Sequence, residues 1–95
     1  MKIMSIKICK YCLVSGRVQG VAFRAFARRK AQSLGVTGWA KNLEDGRVAV
    51  LACGDETAVA HLCQWLYKGS LFSKVSTVEC KTVTDQPCPP DFTTA

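Results

Sequence analysis

The sequence predicts an α+β domain in the order β-α-β-β-α-β, an antiparallel sheet with two helices on one face. Three observations carry that prediction. Apolar runs rich in β-branched residues at 6–15, 36–42, 47–53 and 75–83 read as strands. Two stretches, 21–34 and 56–67, instead repeat apolar residues at spacings of three or four, the helical period. Glycines and an Asp-Gly pair punctuate the chain at lengths suited to the split βαβ pattern, the ferredoxin-like sandwich.

The first strand contains Ile6, Ile8, Leu13 and Val14. The following helix places Phe23, Phe26, Ala27, Ala31 and Leu34 on one stripe and Arg28, Arg29 and Lys30 elsewhere. Gly35 stops it as a residue suited to the left-handed cap. The second strand is led by Val36 and Thr37 and carries Trp39. Asp45-Gly46 marks a hairpin into the third strand, Arg47 to Cys53, whose run Val48 to Ala52 should be largely buried. Asp55 is placed to accept from the first turn of the second helix, whose inward stripe is Ala58, Val59, Leu62, Cys63 and Leu66. Residues 68–73 form a loop, 75–83 alternate as a fourth strand, and 92–95 read as a short edge strand after three prolines. In this topology the first and third strands are central neighbours, which brings Asn42, at the end of strand two, beside the turn that follows strand one.

A chain of 95 residues supports one core, so 1–95 is read as a single domain, with 1–5 and 84–95 less regular. A hydrophobic share of 48% with 21% charged residues excludes intrinsic disorder. Thirteen basic against seven acidic residues give +6, a balance that draws in anions. No apolar run reaches the roughly 18–20 residues of a membrane span, and no secretory h-region opens the chain. The expectation is a cytoplasmic monomer with no membrane or nucleic-acid partner and no cofactor.

The chemistry concentrates in the turn Gly16, Arg17, Val18, Gln19, Gly20, Val21, Ala22, Phe23 and Arg24. Its two glycines let successive N–H groups face one concavity, and the helix start behind them favours an anion. Arg24, in the first helical turn, adds a planar fork that can grip phosphate oxygens bidentately. Residues 16–23 are therefore candidate phosphate ligands, chiefly through backbone N–H groups.

These residues closely resemble the acylphosphatases. The first family motif ends Val-Gln-Gly-Val-x-Phe-Arg, here Val18-Gln19-Gly20-Val21-Ala22-Phe23-Arg24. The second is met by Gly38-Trp39-Ala40-Lys41-Asn42, with Gly46, Val48 and Gly54 in place, and the similarity runs over roughly 9–80. The resemblance implies metal-independent hydrolysis of a small acyl phosphate to carboxylate and inorganic phosphate. It further implies that Arg24 and the turn hold the phosphate and that Asn42 orients the attacking water. This chain departs from the family pattern at Ala27, Ala49, the Gly69-Ser70 pair where Gly-Pro is usual, and the ending Thr93-Thr94-Ala95.

Other readings are weaker. Without the paired motifs, Arg24 would be an exposed helix residue and Asn42 a turn former. Trp39, Phe23 and Phe26 are read as core, and His61 with Trp65 as the outer face of the second helix. An RNA-binding domain of this topology would carry stacking aromatics on its central strands, and Val48 to Ala52 has none. Among six cysteines, Cys9 and Cys12 make one C-x-x-C, but on a strand they point to opposite faces, so no metal site is expected. The cysteines are read as reduced, small hydrophobes. One pair is an exception: Cys9 and Cys53 become close neighbours in the antiparallel pairing, where a disulfide is geometrically possible.

Overall fold

The computed structural model describes residues 6–84 and 86–95. Its elements run β1 (Lys7–Arg17), α1 (Phe23–Leu34), β2 (Thr37–Asn42), β3 (Val48–Asp55), α2 (Glu56–Lys68), β4 (Lys74–Val83) and β5 (Phe92–Thr94). The sheet order is β4-β1-β3-β2-β5. All neighbours are antiparallel except β2 and β5, which run parallel. The expected ferredoxin-like arrangement is present, extended by the β5 edge.

Strand parity divides the sheet into two faces. Cys12, Val14, Val48, Val50, Ala52 and Val78 pack with Phe23, Ala31, Val59, Leu62 and Leu66 of the helices in one core. A smaller cluster of Cys9, Leu51 and Cys53, with Trp39 and Val83, contains no helical residue and lies on the opposite face. Both helices therefore cover one side. Every β3 residue from Val48 to Gly54 is buried, as its unbroken apolar run requires.

α1 ends where glycine predicts: Gly35 has φ 71° and its N–H bonds the Ala31 and Gln32 carbonyls. The Asp55 carboxylate accepts from the Ala58 N–H at the start of α2. Three expectations need correction. α1 starts at Phe23, not Val21, because Ala22 is left-handed. Phe26 is exposed and lies beside the Arg29 guanidinium instead of joining the core. Trp65 does not share the outer face with exposed His61; it turns inward, 5.5 Å from the Phe23 ring.

β1 also runs past residue 15. A register shift between Ser15 and Gly16 lets the strand continue, so that Gly16 faces Val75 and Arg17 faces Lys74. In β2, Gly38 has φ 142°, and a Cβ there would overlap the Leu51 carbonyl oxygen. Its N–H donates to the Asp91 carbonyl at 2.9 Å, so the same residue seats the segment leading to β5. Gly38→Ala is expected to lower unfolding free energy by about 3 kcal/mol or more, from backbone clash together with positive φ. Urea denaturation followed by far-UV circular dichroism checks this; a loss under about 1 kcal/mol would mean that β2 shifts freely to make room. Among the described residues no helix is long and apolar enough to cross a membrane.

Candidate active site

The turn between β1 and α1 is held from both ends. Val18 and Phe23, each 1% exposed, drop into the helix-side core and leave the backbone between them at the surface. Gly20 has φ 73° and Ala22 has φ 59°, so left-handed residues alternate along the turn. Such alternation turns successive N–H groups toward one side and makes an anion nest. Ala22, the one non-glycine at positive φ among the described residues, spends about 1 kcal/mol or more on that conformation.

The start of α1 carries no side-chain cap. The first intrahelical bond reaches back from the Phe26 N–H to the Ala22 carbonyl, so the N–H groups ahead of it have no partner within the helix. Together with the nest they present fixed donors at the positive end of the helix dipole. A small open depression of about 160 Å³ lies here, lined by Gly20, Ala22, Arg24, Ala25 and Thr94 among others.

Arg24 lines this depression, and it meets Asn42 through the backbone oxygen of Ala95. The Arg24 Nη1 donates to the Ala95 backbone oxygen at 2.5 Å, and the Asn42 N–H donates to that same oxygen at 3.2 Å. The Ala95 N–H in turn bonds the Ala40 carbonyl at 2.9 Å, fixing the segment after β5 against the end of β2. Among the described residues Arg24 thus uses one of its five N–H donors on the protein. Asn42 shares the face of fully buried Ala40, toward the helix layer. Its Oδ1 is buried with no hydrogen-bond partner among the described residues. A buried unpaired acceptor costs about 1–3 kcal/mol, so its retention points to a donor supplied by a ligand or water.

Two contacts missed by sequence reasoning lock this geometry. The Gln19 side-chain amide donates to the Leu43 carbonyl at 2.8 Å and the Arg47 carbonyl at 2.9 Å. It ties the turn to the hairpin immediately after Asn42, which Leu43 N–H to Arg47 O closes at 2.8 Å. Ser70, at the position where the family has proline, donates its hydroxyl to the Val21 carbonyl at 2.9 Å and braces the turn from behind. Both residues were legible only as part of a motif or a departure from it. Gln19→Ala removes two hydrogen bonds that tie the turn to the hairpin, from carbonyls that each keep a backbone donor, and is expected to cost about 1–2 kcal/mol of stability. It should lower kcat/KM about tenfold by loosening Asn42 relative to the turn. Gln19→Glu, which has acceptors in place of donors, should not restore either; recovery by Glu in parallel denaturation and kinetic measurements would refute the clamp.

The other predicted ligands divide by position. Gln19, Gly20, Val21 and Ala22 form the bend, of which Gly20 and Ala22 are exposed, and Phe23 begins α1. Gly16 and Arg17 lie inside β1, where Gly16 admits the close approach of the Lys74 carbonyl. The cysteines behave differently from the reduced expectation. Cys9 and Cys53 face each other with Cα atoms 4.1 Å apart and their sulfurs bonded. Cys12 and Cys80, a pair not foreseen, are bonded across β1 and β4. Cys63 and Cys88 are free, and burial pushes the Cys63 thiol up, against a smaller opposing effect from Lys10.

An open helix start, a nest, an arginine fork and an orphaned amide oxygen on a ferredoxin-like sandwich define a small phosphate-handling domain. Comparison with known proteins narrows the class. The acylphosphatase family model matches residues 10–94, and the chain belongs to that family. The acylphosphatase of Halorhodospira halophila is 53% identical over 81 residues, covering 85% of this chain and 87% of that protein. That of Chromohalobacter salexigens is 51% identical over 79 residues, covering 83% and 88%. The solved acylphosphatase from Coxiella burnetii superposes with a TM-score of 0.89 at 38% identity, covering 94% of this chain and 93% of that one.

Proposed function

We propose that this protein hydrolyses the carboxyl-phosphate bond of acyl phosphates, releasing a carboxylate and inorganic phosphate. The observation that carries the reading is the orphaned Oδ1 of Asn42, a residue that shares the Ala95 oxygen with Arg24 at the uncapped start of α1. The turn N–H groups and Arg24 hold the phosphoryl oxygens and neutralise charge as the transition state spreads it over them. Asn42 accepts a hydrogen bond from the attacking water and sets its lone pair toward phosphorus. The new bond forms between water oxygen and phosphorus as the bond from phosphorus to the acyl oxygen breaks. Its electron pair leaves with the carboxylate, a weakly basic leaving group that needs no general acid. The water proton passes to the phosphate product or to solvent.

Because the attacking water is positioned by an amide and the phosphate by N–H donors, activity should persist in excess chelator, within about twofold of the untreated rate. A spectrophotometric assay of an aromatic acyl phosphate, with and without chelator, tests this. Turnover that vanishes in chelator and returns with a divalent cation would overturn the reading.

A further inference from the structure

The six cysteines are sorted by the sheet into two sets of three. Cys9, Cys53 and Cys88 gather on the face without helices, and Cys12, Cys63 and Cys80 on the helix side; within each set the sulfurs lie within 4.8 Å of one another. The proposed chemistry uses none of them. The first set has features that the second lacks.

Cys9 and Cys53 come from adjacent central strands and are 4% and 0% exposed. Leu51, Trp39 and Val83 surround them with apolar side chains that limit water. Cys88 arrives from outside the sheet, exposed, on the run Pro87-Cys88-Pro89-Pro90, where three fixed φ angles restrict its position. Its sulfur lies 3.9 Å from that of Cys9, and the Gln86 backbone oxygen is 3.6 Å from the same Cys9 sulfur. An open depression of about 370 Å³, lined by Lys7, Thr82, Gln86, Cys9 and Cys88 among others, gives access from solvent.

Metal–sulfur bonds of about 2.3 Å place ligand sulfurs about 3.8–4.0 Å apart around one ion. The Cys9–Cys88 separation falls in that range. The three sulfurs make a closed triangle, not the straight line that thiol–disulfide exchange requires. Once the Cys9–Cys53 bond is reduced, three soft donors with no fourth side-chain ligand among the described residues suit a thiophilic d10 ion that accepts three-coordination, Cu(I) above all.

We propose that Cys9, Cys53 and Cys88 form a three-thiolate site for a single Cu(I)-class ion in the reduced protein. In the oxidised form the Cys9–Cys53 bond occupies two of the three donors and closes the site. A dithiol or phosphine reductant supplies two electrons, and two protons complete the thiols; binding of the ion then displaces the three S–H protons. Cys12, the other half of the C-x-x-C, plays no part, because it faces the other side.

The test uses the full chain with Cys63→Ser and Cys80→Ser, which dismantles the second set. This protein, reduced and kept anaerobic, is titrated with Cu(I) against a chromophoric Cu(I) chelator. One equivalent per chain is expected, with affinity weakened on the order of 100-fold or more by a further Cys88→Ser, since a bonded donor outweighs an outer-shell one. Cys88 is exposed, and far-UV circular dichroism verifies that the variant folds. The same protein with Cys9–Cys53 oxidised should retain no Cu(I). Equal affinity in the Cys88→Ser protein, equal binding by the oxidised form, or no retention by the reduced form would each overturn the proposal.

Discussion

Arg24→Ala is expected to lower kcat/KM for an acyl phosphate by on the order of 10³-fold, with little loss of stability. The side chain is half-buried, and its one hydrogen bond among the described residues goes to the Ala95 backbone oxygen. Removing it therefore leaves no buried charge unpaired, and a stability change within about 1 kcal/mol follows. What disappears is the only side-chain cation lining the depression at the turn among the described residues. The nest and helix start still offer neutral donors, so phosphate binding should weaken without vanishing. Arg24→Lys restores the charge but not the planar fork, and recovery of no more than about a tenth of the activity is expected. Steady-state kinetics, inhibition by inorganic phosphate and urea denaturation of the three proteins check the set. A loss below tenfold in the alanine protein would remove Arg24 from the chemistry.

The fold was legible because its signals are local. The change of period from Val14 to Phe23, the Gly35 stop and the Asp45-Gly46 hairpin each act within a few residues, and each is found where expected. The errors arose where distant chain decides. The 6–15 strand continues to Arg17 because Lys74 and Val75 lie alongside, a partnership 57 or more positions away that leaves no local mark. Trp65 sits where periodicity would place an outer residue, yet the Phe23 ring draws it inward. The Cys12–Cys80 pairing depends on the β1–β4 register, and a slip of one residue would put the two sulfurs on opposite faces. The site shows the same division. Arg24 and Asn42 stood out through two motifs, and the topology explained why motifs so far apart in sequence should meet. The Gln19 clamp did not stand out, since its partners are backbone carbonyls, which every residue carries.

Asn42→Ala should reduce kcat by on the order of 10²–10³-fold and change KM by less than about threefold. The amide is held by its own strand and by the Gln19-clamped hairpin, so its Oδ1 is aimed without help from substrate. A buried acceptor with no protein partner is unfavourable in the resting enzyme, and an aligned water relieves it most as the attack begins. The same orphaned atom makes the variant easy to interpret, because truncation removes an unsatisfied group instead of breaking a bond. Asn42→Ala should fold with equal or slightly greater stability, and the loss must then lie in catalysis. Asn42→Asp tests geometry against charge. It keeps an acceptor at the same reach but sets a carboxylate against the phosphate, so KM should rise while kcat stays low. An alanine variant with undiminished kcat would mean that water is oriented elsewhere, and the Asn42 amide would then serve only the hairpin.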